Sequence, residues 1–250
     1  MNQDRIPFLA VSNAGLKAEN LSKYFDKKRV LNNISLNLNK GESVAILGPN
    51  GAGKTTLFYI LMGLIKSDLG TISLNGNNIG LLPMYRRAKL GLGYLPQESS
   101  IFRGLNVEEN ILSILQITYE DKKIQNQQLE KFLSEFGIEH LRYASSLSLS
   151  GGERRRLEIA RCLASNPSFI LLDEPLAGID PIAVGEIKEL IQGLKKRNIG
   201  LLITDHNVKS ALEMVDRAYI VFEGKIISEG TPDEIIQDSE VRRVYLGNTF

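Results

Sequence analysis

The chain has 250 residues, enough for one large α/β domain or two lobes sharing a core. It is 43% hydrophobic and 24% charged with a formal net charge of +1, which excludes nucleic acid as a partner expected on electrostatic grounds. No apolar run reaches the eighteen or so residues a membrane-spanning helix needs, and Met1-Asn2-Gln3-Asp4-Arg5 lacks the layout of a secretory signal.

In chain order, residues 1–15 read as a weakly structured arm closed by Ser12-Asn13-Ala14-Gly15. Strands are predicted at Leu16–Leu21, Ile34–Leu38 and Ser43–Leu47, with Lys40-Gly41-Glu42 as the turn before the third. The third runs into Gly48-Pro49-Asn50-Gly51-Ala52-Gly53-Lys54-Thr55-Thr56, followed by the helical Leu57–Met62. This is G-x-x-x-x-G-K-T between an apolar strand and a packed helix, the setting a phosphate-binding loop requires. Its glycines let backbone N–H groups turn inward on a phosphate, and the helix start adds partial positive charge. Lys54 would reach the β- and γ-phosphates, and the Thr55 hydroxyl would ligate Mg²⁺.

Gly70–Gly76 and Gly93–Pro96 read as further strands. Val107 to about Phe136 carries a helical pattern, with Ile111, Ile114 and Leu115 on one face and Leu129, Phe132, Leu133 and Phe136 on another. With few strand signals before Phe169, residues of about 98–165 are expected to form an inserted helical lobe. The one cysteine, Cys162, excludes an internal disulfide, agrees with a reducing, cytoplasmic setting, and sits on a helix where packing is its expected role. Phe169–Leu172 reads as a buried strand, Asp180-Pro181 starts a helix through Leu194, and Leu201–Thr204 is another strand. Ala218–Phe222 and Lys225–Ser228 form a hairpin around Glu223-Gly224, and Thr231-Pro232-Asp233-Glu234 opens a capped helix. The alternation favours a mainly parallel sheet.

Hydrolysis needs more than a phosphate loop. Asp173 and Glu174 end the buried strand Phe169–Leu172, where ligands of parallel sheets sit. Asp173 would hold Mg²⁺, and Glu174 would orient or deprotonate the attacking water. Ser150-Gly151-Gly152-Glu153 is a capping box whose two glycines leave N–H groups open to an anion. A second phosphate-binding helix start beside one Lys54 suggests two chains head to tail. His206 follows the strand Leu201–Thr204, and Gln97 stands at the entrance to the helical stretch, where its amide could ligate Mg²⁺ or water.

Together these residues resemble the ATP-binding cassette of ABC transporters over about residues 16–235. The resemblance implies a P-loop NTPase, RecA-like α/β core with an antiparallel β region and the inserted helical lobe, leaving 236–250 as a tail. It makes Phe25, with Tyr24 as the alternative, the ring that stacks on adenine. Gly48–Thr56 becomes the Walker A loop, Gln97 the Q-loop glutamine and Leu149-Ser150-Gly151-Gly152-Glu153 the signature motif. Ile170–Glu174 becomes the Walker B strand, Ala177–Asp180 the D-loop and His206 the switch histidine. The implied active form is a head-to-tail homodimer holding two ATP with Mg²⁺.

A narrower resemblance, to the ATPases of lipopolysaccharide exporters, is carried by Gly93–Arg103, Leu149–Arg156, Ile203–Val208 and Val244–Gly247. It implies a place on the cytoplasmic face of the inner membrane, two membrane permeases docked in a groove at Phe102 and Arg103, and a bitopic bridge protein. ATPases of branched-chain amino acid importers are similar too, and a soluble non-transport cassette protein is the alternative of a different class.

Overall fold

A computed structural model describes residues 15–247; all but Gly15 of the arm expected over 1–15, and the last three residues of the tail, lie outside them. The chain begins with a hairpin, β1 (Leu16–Phe25) and β2 (Lys28–Leu38), then β3 (Ser43–Leu47) and α1 (Lys54–Met62). It continues through β4 (Leu69–Leu74), β5 (Asn77–Asn78), α2 (Met84–Lys89) and β6 (Leu92–Leu95). Three helices follow without an intervening strand: α3 (Val107–Thr118), α4 (Lys122–Glu135) and α5 (Gly151–Ala164). Next come β7 (Phe169–Asp173), α6 (Pro181–Lys196), β8 (Gly200–Thr204) and α7 (Val208–Leu212). The chain closes with β9 (Arg217–Phe222), β10 (Lys225–Gly230) and α8 (Pro232–Gln237), then helical turns over Ser239–Val241 and Arg242–Leu246.

The central sheet has the order β10-β9-β3-β8-β7-β6, parallel except for β10. Of its inner strands β3, β7 and β8 are buried at every position, which explains their unbroken apolar runs. Alternate residues of β3 serve different cores. Ala45 and Leu47 pack with β7, β8 and the α3–α6 side, whereas Val44 and Ile46 pack with α1 and the second sheet. That second sheet, β2-β1-β4-β5, is wholly antiparallel, so the mainly parallel arrangement holds for the central sheet alone.

The helical pattern expected from Val107 to about Phe136 is carried by two helices. Tyr119 is extended and Asp121 caps α4 by accepting the Lys123 N–H at 2.7 Å. The hydrophobic period runs across this break because both helices face one core, so periodicity alone could not show it. The short α2 and α7 lack the length for a periodic signal and were not expected. Both capping boxes foreseen, at Ser150 and Thr231, are present.

Candidate functional site: a nucleotide cleft at the carboxyl ends of the parallel strands

The loop after β3 follows a path that only glycine can take at two points. Gly48 has φ 151°, and a Cβ there would lie 2.0 Å from the Val221 carbonyl oxygen. Gly53 has φ 107°, and its Cβ would meet Leu31 Cδ2 at 2.7 Å. Lys54 is therefore presented as the first residue of α1, with its ammonium inside the loop's curl. It donates to the Gly48 and Pro49 carbonyls at 2.7 and 3.0 Å. Burial lowers its pKa, opposed by the negative charges of Glu174 and Asp173. Asn50 to Thr56, with Val30, Gln97, Glu174 and His206, line a cleft of about 340 Å³.

Parallel pairing sets the acids beside this loop, because Asp173 is the register partner of Thr204 and Leu172 of Leu95. Asp173 is buried, and its Oδ1 accepts from the Thr204 hydroxyl at 2.5 Å. Glu174 leaves the strand in the left-handed region at φ 46°. Its N–H is held by the Thr204 carbonyl at 3.0 Å and the Thr204 Oγ1 at 3.2 Å. This turn, which costs local backbone strain, carries the side chain out of line with β7 and into the cleft. There Glu174 Oε2 accepts from Gln97 Nε2 at 2.7 Å and Oε1 lies 2.6 Å from His206 Nε2. Desolvation raises the Glu174 pKa; His206 works against that shift, and the neighbouring Asp173 adds to it. A raised pKa in a carboxylate at the cleft is a property that general-base chemistry would use.

The donor set suits Mg²⁺ held with a nucleotide. Among the described residues no three His, Cys, Asp or Glu side chains converge on one metal position. Asp173 supplies a single buried carboxylate, and Thr55 stands exposed in the first turn of α1. One carboxylate, one hydroxyl and phosphate oxygens form the kind of oxygen set Mg²⁺ takes. The Gln97 amide nitrogen is committed to Glu174, which leaves its oxygen as the atom available to an ion.

Ser150, Gly151 and Gly152 begin α5 as expected. The Ser150 hydroxyl donates to Glu153 Oε2 at 2.8 Å, and the same carboxylate oxygen accepts the Ser150 N–H at 2.8 Å. Gly151 lines a separate cavity of about 210 Å³ with Gln97, Arg154, Arg155 and the Ala177–Ile179 loop. Within one chain the two glycine-rich helix starts thus serve different cavities, with Gln97 common to both.

Phe25 and Tyr24, both exposed, stand at the end of β1, while the residue this hairpin contributes to the cleft lining is Val30. Arg29 lies 5.5 Å from the Tyr24 ring and Lys23 5.5 Å from the Phe25 ring. Phe102 and Arg103 are exposed beyond Gln97, and the Arg161 guanidinium lies 4.7 Å from the Phe102 ring.

Sequence reasoning missed four residues that shape these sites. Thr204 binds Asp173 and the Glu174 N–H; a threonine ending an apolar strand opposite the acid was the available signal. Asp205 is buried, and its Oδ2 has no donor among the described residues. Tyr245 shares a cavity with Gly48, Pro49, Asn50 and His206. Asn110 is fully buried and ties down the loop that carries Phe102 and Arg103. The last two act through the tertiary fold, and nothing local in the sequence marks them. Cys162 is packed as expected, with burial pushing its thiol up to about 12.

A family model for the ABC transporter matches residues 31–177, and one for the branched-chain amino acid ATP-binding cassette transporter matches residues 225–250. The chain is 54% identical to a probable ABC transporter ATP-binding protein of Azorhizobium caulinodans, covering 96% of this chain and 86% of that one. It is 52% identical to the lipopolysaccharide export system ATP-binding protein LptB of Escherichia coli K12, covering 95% and 99% respectively. Among solved structures, the MJ1267 ATP-binding cassette of an ABC transporter superposes with a TM-score of 0.84 at 29% identity, covering 94% of this chain and 99% of that one. The cleft, the strand-end acids and these likenesses agree: the chain belongs to the ATP-binding cassettes of the ABC transporter family, which bind and hydrolyse ATP to power transport and work as dimers with membrane permeases.

Proposed function

We propose that this chain is the ATPase of a lipopolysaccharide exporter, acting as a head-to-tail dimer on the cytoplasmic face of the inner membrane. The observation that supports hydrolysis is the Glu174 carboxylate held between Gln97 and His206 at the mouth of the phosphate-loop cleft. The observation that supports this cargo is 52% identity with the export ATPase of Escherichia coli across almost the whole of both chains.

In this reading Lys54 and the N–H groups of Gly51 to Thr56 neutralise the β- and γ-phosphates. Phe25 stacks on adenine. Thr55, Asp173 and the Gln97 oxygen hold Mg²⁺, which when bound supplies charge neutralisation to the phosphates. Glu174 accepts a hydrogen bond from the attacking water and takes its proton as the oxygen bonds to the γ-phosphorus and the β,γ-bridging oxygen leaves with ADP. His206 holds Glu174 in place and senses the γ-phosphate. Ser150, Gly151 and Gly152 of the partner subunit close over the same phosphate, so closure of the dimer completes the site. Closure draws the Phe102 and Arg103 grooves together and pulls on two permeases, with a bitopic bridge protein on the far side.

A second reading, the ATPase of a branched-chain amino acid importer, is favoured by the family match over residues 225–250. Mass spectrometry of what copurifies with the tagged chain from detergent-solubilised membranes separates the two. Two different permeases with a bitopic protein are expected. Branched-chain permeases with a periplasmic binding protein would transfer the assignment to import.

A further inference from the structure

Arg87 is 1% exposed, the most buried arginine among the described residues, and its listless-looking position on α2 hides an unusual set of partners. Among the described residues its guanidinium makes no carboxylate pair, and it donates instead to four backbone carbonyls. Nη1 reaches Ile60 at 2.7 Å and Leu61 at 2.6 Å, Nε reaches Leu82 at 2.8 Å, and Nη2 reaches Gly80 at 3.0 Å. Ile60 and Leu61 lie in the last turn of α1, where the negative helix end favours a cation; the Ile60 carbonyl also accepts the Gly63 N–H at 3.1 Å. Gly63, which ends α1 at φ 79°, leaves no room for a side chain: a Cβ would lie 2.7 Å from Arg87 Nε.

A buried guanidinium without an anion is an expensive way to fill a core, and burial pulls its pKa down to about 10. A methionine would fill similar volume with no charge to desolvate. What only arginine supplies is a rigid planar fork bonded to two segments at once. One segment is α1, whose first residue is Lys54 in the nucleotide cleft. The other is the Gly80–Leu82 strip, whose central Leu81 is 85% exposed and comes four residues before Tyr85, 60% exposed, on the following helix.

We propose that Arg87 is a positioning residue that couples nucleotide engagement at the phosphate loop to the posture of the exposed Leu81–Tyr85 surface. ATP held at the start of α1 fixes that helix, and the fork passes the constraint to the surface that a membrane partner would feel. The coupling rests on ATP binding alone; only the identity of what meets Leu81 and Tyr85 rests on the transporter reading.

The test is hydrogen exchange on the isolated full chain, with and without Mg-ATP, in wild type, Arg87→Met and Arg87→Lys. In wild type ATP slows exchange of the residue 79–85 amides by about fivefold, and in both variants by less than about twofold. ATP affinity of the variants stays within about threefold of wild type, a split that a purely structural role would not produce. Arg87→Lys keeps the charge but reaches fewer of the four carbonyls, so it reads the fork even where Arg87→Met fails to fold. ATP-dependent protection that persists in Arg87→Lys, or is absent in wild type, overturns the proposal. Neither result depends on which permeases copurify.

Discussion

His206 Nε2 lies 2.6 Å from Glu174 Oε1 although the two residues sit on different strand ends, thirty-two positions apart. The contact exists because β7 and β8 are parallel neighbours with Asp173 opposite Thr204, so the residues that follow each strand leave on the same side. Gln97, beyond β6, reaches the other oxygen of the same carboxylate. One acid is therefore fixed from two strands at the lip of the phosphate-loop cleft.

Replacing Glu174 by Gln keeps the shape and both contact positions while removing the proton acceptor. The variant is expected to bind ATP with affinity near wild type and to lose turnover by roughly two to four orders of magnitude. Steady-state phosphate release and nucleotide titration check both halves. Near wild-type turnover would remove Glu174 from the role of base.

Asp205 gives a stability prediction with a definite sign. Burial raises its carboxyl above the ordinary 3.8, although the Asn207 N–H and His206 oppose this, and Oδ2 lacks a donor among the described residues. The folded state thus binds the proton more tightly than the unfolded one, and the ionised form costs stability above the folded pKa. Asp205→Asn is expected to raise Tm at neutral pH, with the gain shrinking as pH falls through the folded pKa and vanishing below 3.8. A gain that grows on acidification would show the sign to be wrong.

The loop beyond Gln97 that carries Phe102 and Arg103 depends on Asn110. Its Oδ1 accepts the Phe102 N–H at 2.8 Å, and its Nδ2 donates to the Phe102 and Asn106 carbonyls at 3.1 and 2.9 Å. Truncation strands these backbone groups in a fully buried place. Asn110→Ala is expected to cost about 2 kcal/mol, about 4–8 °C in Tm for a chain of this size. Calorimetry reads it; an unchanged Tm would mean that the loop holds itself.

Phe102 and Arg103 are exposed on that loop and are not among the residues that line the nucleotide cleft. Phe102→Ala and Arg103→Ala are each expected to reduce copurification of permeases at least about fivefold while leaving ATP affinity of the isolated chain unchanged, as for contact residues at a helix-docking groove. Equal recovery of membrane partners with either variant would move the docking surface elsewhere.

Much of this was legible in the sequence because the site is built from local signals. The phosphate loop, the acids after an apolar strand and the Ser150 capping box each occupy fewer than ten consecutive residues. The strand ends that bring Glu174, His206 and Gln97 together follow from one rule about parallel sheets. What stayed hidden depends on long-range packing. Arg87 looks like an ordinary basic residue beside Arg86 until α1 is placed over it, and Tyr245 meets Gly48 only once the last turn folds back. The break at Tyr119 was masked because α3 and α4 share one core.

The most direct measurement is release of lipopolysaccharide from vesicles that carry this chain with its copurified membrane partners. The account predicts ATP-dependent extraction in proportion to phosphate released by wild type, and none with Glu174→Gln. Full ATP turnover by the wild-type complex with no lipopolysaccharide leaving the vesicles would contradict it.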